Sequence, residues 1–191
     1  MEKPLWRWTI GGEITPTIKQ VFKYAVTCAK KIYKNEFDFV ICHNNISSTK
    51  WLENLNIDLY DQEKYESTAK GSFLKICPPR LRKNCHEFIV DNDQIIYKKI
   101  SEIDSFLQNK NEIIISEGAM RCYGIYDNEI PNIKINTGFI GLPPNYDFQK
   151  EIQKYIKKPK IEHSYFDEQG LITLVASKHN LKKIPIGKIK G

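Results

Sequence analysis

The sequence predicts an α/β fold, with a mainly parallel β-sheet flanked by helices. Segments with strand patterns alternate along the chain with segments of helical periodicity, which is typical of this class. Residues 37–42 form an almost continuous apolar run, as in strands that are buried on both faces of a sheet. The chain has 191 residues, 41% of them hydrophobic, which is enough for one core. We therefore expect residues 1–191 to form a single domain.

The amino-terminal half begins with a strand, a helix and a second strand. Residues 5–10 are β-rich and end at two glycines, which predicts a strand and a turn. Apolar residues then recur at spacings of three and four, which predicts a helix from Pro16 to about Tyr33 with Thr15 as its N-cap. The apolar run at 37–42 is the second strand. Shorter elements follow: a brief helix around Leu52 and Leu55, a brief strand at residues 57–60, and a helix at residues 72–76 that ends before Pro78 and Pro79.

The carboxy-terminal half continues the same alternation. Residues 87–90 and 112–116 are apolar runs that predict strands, and residues 134–140 contain a further strand. Residues 124–144 are less regular overall, and we expect a small antiparallel flap there. The remaining elements are helices around residues 100–107, 148–156 and 166–177, and a last short strand within residues 184–189.

The positive charge of the chain is concentrated at its carboxy-terminal end. The net charge is +6, from 29 Lys and Arg against 23 Asp and Glu. Residues 178–191 contain five Lys and no acid, so the rest of the chain carries 6 − 5 = +1. This distribution predicts no nucleic-acid-binding face. The basic tail at 178–191 is either solvated, a clamp for a diphosphate, or a peripheral contact with an anionic membrane.

The composition also indicates where the protein works. The chain has five Cys, an odd number without a Cys-x-x-Cys pair, which favours free thiols in a reducing compartment. No apolar run approaches the length of a membrane span, and the first residues lack the pattern of a signal peptide. We therefore expect a cytoplasmic protein, free or peripherally attached at the inner membrane surface.

Two carboxylates, Asp91 and Asp93, directly follow the predicted strand at residues 87–90. In an extended chain, residues i and i+2 point to the same side, so these carboxylates repel each other unless a cation lies between them. Oxygen ligands with room for waters and phosphates suit Mg²⁺ or Mn²⁺. This Asp-x-Asp motif therefore predicts a metal site, with a helix N-cap or a loop pair as the alternative.

Two other predicted strands also end in polar or small residues. Gly11 and Gly12 end the first strand, and His43, Asn44 and Asn45 follow the second. In parallel sheets the carboxyl ends of the strands meet at one edge, where ligands bind. We therefore expect these residues and the Asp-x-Asp motif to line one crevice.

Four stretches of the chain carry a pattern known from one family. They are residues 8–12 with the helix and residues 39–45 that follow, residues 78–81 leading into residues 88–93, residues 135–140 with Asn136-Thr137-Gly138, and the acidic helix start at 166–170. In this order the chain resembles a glycosyltransferase of the GT-A type, a nucleotide-diphospho-sugar transferase with a Rossmann-like fold. The resemblance implies that a sugar moves from a nucleotide-diphosphate donor to an acceptor hydroxyl on a glycan, lipid or protein.

The resemblance also implies roles for individual residues. Asp91 and Asp93 would bind the Mn²⁺ or Mg²⁺ that bridges the donor diphosphate, and His179 is the candidate for a third ligand. Asp167 and Glu168 are the candidates for the carboxylate that removes the proton of the acceptor hydroxyl. The residues expected to bind the nucleotide-sugar are Trp8, Thr9, Ile10, Asn44, Arg80, Asp91, Asn136 and Gly138, with the first three at the base and ribose and the last two near the donor sugar.

Three other functions stay open. In a phosphatase of the haloacid-dehalogenase type, Asp91 would be the nucleophile and Asp93 the acid and base, although that motif usually opens its fold. A sugar-phosphate nucleotidyltransferase would have an Arg in the Gly-rich loop after the first strand, and residues 11–15 contain none. A non-catalytic nucleotide-sugar-binding protein would explain why the chain is short for the family.

Overall fold

A computed structural model describes residues 2–64, 71–76, 78, 80–157 and 164–191. The strands are β1 (Leu5–Gly11), β2 (Asp38–Asn44), β3 (Asp58–Asp61), β4 (Glu87–Val90), β5 (Ile95–Ile96), β6 (Glu112–Glu117), β7 (Ile135–Leu142), β8 (Asn180–Ile184) and β9 (Ile189–Lys190). The α-helices are α1 (Pro16–Tyr33), α2 (Lys50–Glu53), α3 (Ser101–Leu107), α4 (Phe148–Tyr155) and α5 (Tyr165–Ala176). Short 3₁₀ helices form at Gln62–Lys64, Gly71–Ile76 and Gly124–Glu129.

The strands build one mixed sheet and one small sheet. The large sheet has seven strands in the order β3-β2-β1-β4-β7-β6-β8. Strand β7 is antiparallel to both of its neighbours, and the other six run in one direction. Strands β5 and β9 form the small antiparallel sheet. The predicted α/β class with a mainly parallel sheet is confirmed.

Helix α1 forms where the sequence predicts it. Thr15 caps the helix, because its hydroxyl accepts a hydrogen bond from the N–H of Ile18 at 3.2 Å. Pro16 occupies the first helical position, where the missing N–H costs no hydrogen bond. The apolar residues of the three-and-four pattern include Phe22, Ala25 and Ala29, all buried against the sheet.

The predicted small antiparallel element is present, but it does not lie at residues 124–144, and the last strand does not lie within residues 184–189. The residues expected to form a flap instead hold a 3₁₀ helix and β7, whose strand is buried inside the main sheet between β4 and β6. The small antiparallel sheet lies at β5 and β9. A last strand within 184–189 does not form, because Pro185 and the left-handed Gly187 turn the chain between β8 and β9.

Strand β4 is buried on both faces, as its continuous apolar sequence indicates. Ile89 packs in one apolar cluster, and Phe88 and Val90 pack in the cluster on the opposite face. Strand β6, on the far side of β7, alternates in the same way, with Ile115 in the first cluster and Ile114 in the second. This double burial fixes the height and register of the residues that follow β4.

The structure also bears on the expected location of the protein. No helix in the described parts of the chain has the length and hydropathy that a membrane span requires. The four Cys in those parts, Cys28, Cys42, Cys85 and Cys122, are free thiols, as predicted, whereas Cys77 lies outside the described residues. The cytoplasmic location and the peripheral membrane contact stay predictions.

A fully buried ion pair links β1 to β4. The Nη1 atom of Arg7 lies 3.0 Å from Oε1 of Glu87, and both side chains have no exposed surface. Two backbone N–H groups of the loop before β4 also donate to Glu87, each at 2.9 Å. The Nη2 atom of Arg7 donates to the carbonyl of Lys75 at 2.9 Å. The pair therefore anchors the 3₁₀ helix Gly71–Ile76 to the sheet.

Replacing Glu87 should destabilise the fold strongly. Glu87→Ala leaves the Arg7 guanidinium buried without its carboxylate, and such a loss costs about 3–5 kcal/mol of unfolding free energy. Asp38→Ala is the matched control, because the Asp38–Arg82 pair is partly exposed and should cost less than about 1 kcal/mol. Denaturant unfolding measures both variants. Equal losses in the two would contradict the anchoring role.

Candidate active site

The Asp-x-Asp motif lies at the end of β4, in the middle of the sheet edge. The N–H of Asp91 donates to the carbonyl of Gly138 on β7 at 2.8 Å, which fixes the turn to the neighbouring strand. Strands β1 and β2 run parallel to β4, so their carboxyl ends lie at the same edge. There the N–H of Gly12 donates to the carbonyl of Asn44 at 3.1 Å. The predicted meeting of the strand ends at one edge is confirmed.

A buried lysine lies behind the motif. The Nζ atom of Lys75 is 3.2 Å from Oδ1 of Asp91 and 3.1 Å from Oε1 of Glu168. It also lies 3.3 Å from the carbonyl and the hydroxyl of Thr137. The side chain of Lys75 is 5% exposed and that of Glu168 is not exposed at all. One ammonium therefore joins the 3₁₀ helix Gly71–Ile76, the end of β4, β7 and α5.

Two carboxylates share this single ammonium, which shifts the pKa values of the cluster. Burial lowers the pKa of Lys75, but the carboxylates of Glu168 and Asp91 outweigh burial and raise it above its ordinary value. Burial and the neighbouring Asp91 carboxylate raise the pKa of Glu168 to about 7, against the opposing pull of Lys75 and Thr137. Lys75 therefore stays charged, and Glu168 takes up a proton near neutral pH.

Asp91 and Asp93 are the carboxylates that a divalent cation could use. The Asp91 side chain is 24% exposed, and Asp93 is exposed, with its Oδ1 accepting from the Gln94 amide at 3.2 Å. No group of three or more His, Cys, Asp and Glu side chains that could hold a metal occurs in the described parts of the chain. Mg²⁺ is commonly bound by one or two carboxylates, with waters and substrate phosphates as its other ligands. The donor set fits such a cation, and not an ion coordinated by protein alone.

The carboxy-terminal segment lies against the Asp-x-Asp turn. Gln94 follows the motif and packs on Gly138, where an added Cβ would lie 2.8 Å from the Gln94 amide nitrogen. The same amide crowds Gly191 at the end of β9. Strand β9 pairs with β5, which begins one residue after Gln94. The basic segment therefore reaches the candidate site.

The interpretation of residues 178–191 as a solvated tail is wrong. Strand β8 belongs to the main sheet and β9 to the small one. The Nζ atom of Lys188 is 2.5 Å from Oε1 of Glu102, and that of Lys190 is 5.8 Å from the ring centroid of Tyr97. Lys190 pairs with Ile95 and precedes Gly191, which contacts Gln94. Its ammonium is therefore the positive charge of this segment that we expect nearest to the Asp-x-Asp turn.

Two predicted nucleotide contacts, Trp8 and Ile10, lie in the apolar core. Trp8 is not exposed, and its ring stacks on Phe39 with the centroids 5.8 Å apart. Ile10 is 1% exposed. Because neighbouring strand residues point to opposite faces, Thr9 points away from this cluster and stays partly exposed. The predictions for Trp8 and Ile10 are wrong, whereas Thr9 and Asn44 remain candidates at the edge.

The prediction that Arg80 binds the nucleotide-sugar is also wrong. Its guanidinium lies beside Glu87 at the amino end of β4, with Nε 3.8 Å from Oε2. It donates to the carbonyls of Arg82 at 2.9 Å, Cys85 and Pro143. Burial lowers the pKa of Arg80, and the Glu87 carboxylate opposes this shift. Arg80 therefore joins the loop before β4 to the end of β7, at the opposite edge of the sheet from Asp91.

His179 does not lie with the two aspartates. It directly precedes β8 and lies five residues before Ile184. Ile184 pairs with Ser116, at nearly the same height in the sheet as Asp91. Five strand residues span about 16 Å. The Nε2 atom of His179 lies 2.8 Å from the hydroxyl of Tyr146. Both side chains line a pocket of about 250 Å³ at the opposite edge, so the prediction of His179 as a metal ligand is wrong.

Both predicted catalytic acids are engaged inside the protein. Asp167 completes a capping box, because its Oδ2 accepts from the N–H of Ser164 at 2.9 Å. Its Oδ1 accepts from the N–H of Ile125, also at 2.9 Å. Glu168 is fully buried against Lys75. Neither carboxylate is placed to take a proton from an acceptor hydroxyl, which corrects the expectation of a catalytic role in this structure.

The structure adds Lys75 to the residues that the sequence indicates. A single Lys within Phe73-Leu74-Lys75-Ile76 matches no motif. The one signal in the sequence is the charge itself, since a lysine among apolar residues is rarely buried unless it is paired. Its partners, Asp91 and Glu168, are 16 and 93 positions away, and local patterns do not reveal such pairing.

The fold is similar to solved structures of glycosyltransferases. The galactosyltransferase LgtC, solved with donor and acceptor sugar analogues, gives a TM-score of 0.65 at 10% identity, over 94% of this chain and 72% of LgtC. GlyE of Streptococcus pneumoniae TIGR4 gives 0.60 at 13% identity, over 96% of this chain and 45% of GlyE. The bifunctional glycosyltransferase WbbM gives 0.68 at 13% identity, over 97% of this chain and 39% of WbbM. The chain thus spans less than half the length of GlyE and WbbM.

These similarities decide the fold. The chain has the fold of the GT-A glycosyltransferases. The predicted resemblance is therefore confirmed at the level of the fold, including its Rossmann-like sheet. No protein-family model matches the chain, and no curated protein matches it by sequence. Because one fold serves many functions, the residues of the site and not the fold determine the activity.

The buried Glu168 should make stability depend on pH. Folding raises its pKa from an ordinary 4.5 to about 7, so between these values the folded state binds more protons than the unfolded state. The free energy of unfolding should therefore fall as pH rises through this window, by on the order of 3 kcal/mol from this group. Glu168→Gln should lack this component. Denaturant unfolding at pH 5 and pH 8, without added metal, measures the difference.

The control for this titration is Glu53→Gln, which replaces an exposed glutamate on α2. It should keep the pH dependence of the wild-type protein. If Glu168→Gln also keeps that dependence, Glu168 does not titrate as a buried group.

Proposed function

We propose that the protein transfers a sugar from a nucleotide-diphosphate donor to an acceptor hydroxyl, with residues 1–191 forming one nucleotide-sugar-binding domain. The observation that carries the proposal is the position of Asp91 and Asp93. They follow the central parallel strand β4, at the sheet edge where ligands of open α/β sheets bind. The glycosyltransferase fold and the strand ends of β1 and β2 at the same edge support it further.

The transfer needs positive charge at the diphosphate. It breaks the bond between the anomeric carbon and a diphosphate oxygen, forms a bond to the acceptor oxygen and releases one proton. The proposed cofactor is Mn²⁺ or Mg²⁺ held by Asp93 and Asp91, which would stabilise the charge that develops on the leaving diphosphate. Lys75 keeps the Asp91 carboxylate in one position. The Asp93 carboxylate is exposed to solvent and would contact the cation bound to the diphosphate.

The donor would lie along the ends of β1, β2 and β7. The hydroxyl of Thr9 is buried and has no hydrogen-bond partner among the described residues, so it is an unsatisfied polar group close to the end of β1. We assign Thr9 and Asn44 to the nucleoside, and Asn136 and Gly138 to the donor sugar. The side-chain oxygen of Asn136 accepts from the N–H of Gly138 at 2.7 Å, which fixes the part of β7 that would face the sugar.

A protein that binds nucleotide-sugars without transferring them is the second candidate. The burial of Glu168 and the capping role of Asp167 favour it, because neither acid reaches an acceptor in this structure. The phosphatase and the nucleotidyltransferase receive no such support. Release of nucleoside diphosphate from nucleotide-sugars separates the first two candidates, since only a transferase consumes its donor when an acceptor is present.

Asp93→Ala should abolish metal-dependent donor binding, because it removes the exposed carboxylate of the motif. We would measure thermal unfolding with UDP, GDP and CDP, each with Mn²⁺, Mg²⁺ or a chelator. A ligand at about 100 times its Kd adds about 2.7 kcal/mol, a rise of about 5–10 °C in a chain of this size. Asp58→Ala, at the start of β3 on the opposite edge, should keep the full shift. Metal-dependent shifts of the same size in Asp93→Ala would contradict the assignment.

Lys190→Ala should weaken diphosphate binding in a salt-dependent way. Loss of one phosphate contact worth about 1 kcal/mol lowers affinity about fivefold at low salt, and less at high salt. A single substitution is preferable to deletion of residues 178–191, which would remove β8 from the sheet. Lys178→Ala is the matched control, on the turn before β8. Titration of the nucleoside diphosphate at two salt concentrations measures both, and an affinity equal to that of the wild type at low salt would exclude the contact.

A further inference from the structure

A pocket of about 250 Å³ lies at the amino edge of the sheet, opposite to the Asp-x-Asp motif. Three adjacent strands provide its walls: residues 143–146 follow β7, Lys110 and Asn111 precede β6, and His179 precedes β8. Pockets for drug-sized ligands, a class that includes nucleoside diphosphates, measure roughly 300–1,000 Å³. This amino-edge pocket therefore has the size for a smaller ligand.

The loop that follows β7 is fixed by residues outside the pocket. Pro143 and Pro144 restrict its backbone, and Asn145 takes a left-handed conformation with a φ of 61°. The N–H of Asn145 donates to the carbonyl of Lys83 at 2.6 Å. The guanidinium of Arg80 donates to the carbonyl of Pro143. This wall of the pocket is therefore preformed, which lowers the entropy cost of binding a ligand.

Tyr146 orients the imidazole of His179. Its hydroxyl lies 2.8 Å from Nε2 of His179, and the two rings meet edge to face with their centroids 4.9 Å apart. Burial raises the pKa of Tyr146 above its ordinary value, and neighbouring carboxylates raise it further, so the hydroxyl keeps its proton. The hydroxyl then donates to Nε2, and neutral His179 carries its own proton on Nδ1. The imidazole therefore has an N–H donor that Tyr146 does not use.

The lining of the pocket carries positive charge. It includes Lys110 and His179, and no Asp or Glu among the described residues. Lys110 is exposed, and its ammonium forms no ion pair with any residue that the structure describes. Two carboxylates near the start of α4 have partners of their own, since Asp147 caps the helix and Glu151 pairs with Lys154. The charge of Lys110 is therefore available to an anion.

Amide and apolar groups complete the pocket. Asn111 and Asn145 are exposed, and their side-chain amides can donate to an oxygen atom. Ile113 and the two prolines contribute apolar surface. A ligand with a compact oxyanion and a small carbon part matches both features, because the N–H groups bind its oxygens and the apolar walls cover its carbon.

We propose that the amino-edge pocket binds a small oxyanion, a phosphate monoester or a carboxylate, with Lys110 as its counter-ion and Nδ1–H of His179 as a hydrogen-bond donor. Hydrogen bonds of a charged oxygen are about twice as strong as those between neutral groups. The pocket is separate from the expected diphosphate site, because five residues of chain, about 16 Å in a strand, lead from Gly138 to Pro143. The inference goes beyond the proposed function and does not depend on it.

NMR of the isotope-labelled full chain tests the pocket. Inorganic phosphate, methyl phosphate, acetate and butyrate would be titrated at constant ionic strength, without added metal. The wild type should show saturable shifts at Asn111, Asn145 and His179 with at least one of these anions. The comparison of the phosphates with the carboxylates identifies the oxyanion that the pocket prefers. Tighter binding of the anion with the alkyl group in each pair would reflect contact with the apolar walls.

Replacing either donor should weaken binding of the anion. Lys110→Ala should lower the affinity about threefold to fivefold at low salt, and less at high salt, because it removes the counter-ion. His179→Gln should lower it by a similar factor. Lys31→Ala is the matched control, an exposed lysine on α1, and should bind like the wild type. Thermal unfolding of each variant checks that the fold is kept.

Tyr146→Phe keeps the ring and removes the hydroxyl that orients the imidazole. In the wild type, the imidazole ¹⁵N shifts should show the proton of neutral His179 on Nδ1. Tyr146→Phe should lose this preference and weaken the anion about two- to fivefold. A wild-type His179 with its proton on Nε2 would contradict the assigned donor.

Three results would overturn the pocket as an anion site. The first is the absence of saturable shifts with all four anions. The second is an affinity equal to that of the wild type in Lys110→Ala or in His179→Gln. The third is a set of shifts confined to the carboxyl edge, because the anion would then occupy the expected diphosphate site.

Discussion

The buried ammonium of Lys75 is the interaction on which the candidate site depends. It holds Asp91 and Glu168 at 3.2 and 3.1 Å and contacts Thr137 between them. A charge this deeply buried is tolerable only with partners of opposite charge and hydrogen bonds around it. Because its partners come from β4, β7 and α5, the position of each element at the sheet edge is tied to the same group.

The acidic residues at the carboxyl edge of the sheet have different roles. Asp91 and Glu168 both pair with Lys75, and Asp167 caps α5, so these three carboxylates have structural partners. Asp93 remains exposed and carries the charge that a cation would meet. A second buried ion pair, Arg7 with Glu87, holds the backbone of Lys75, because Arg7 also donates a hydrogen bond to the Lys75 carbonyl. The two buried pairs thus support one small polar surface on an apolar sheet.

Local patterns predict the elements well because local physics decides them. The continuous apolar run of β4 follows from burial on both faces, and Thr15 with Pro16 starts α1. Asp91 and Asp93 could be found in the same way, since they end a buried strand. The roles of Arg80, Glu168 and His179 could not, because each depends on a partner far away in the sequence. His179 forms a hydrogen bond with Tyr146, 33 positions away in the sequence. Only the sheet topology shows that both residues lie at the edge opposite to Asp91 and Asp93.

The edge of the sheet at which a nucleoside diphosphate binds can be mapped by NMR. Amide chemical shifts of the isotope-labelled protein would be followed as UDP, GDP or CDP is added with Mg²⁺. We expect one of them to shift resonances at the carboxyl edge, around Thr9, Asn44, Asp91 to Gln94 and Gly138. Shifts around Tyr146 and His179 at the opposite edge instead, or no shifts with any of the three, would contradict it.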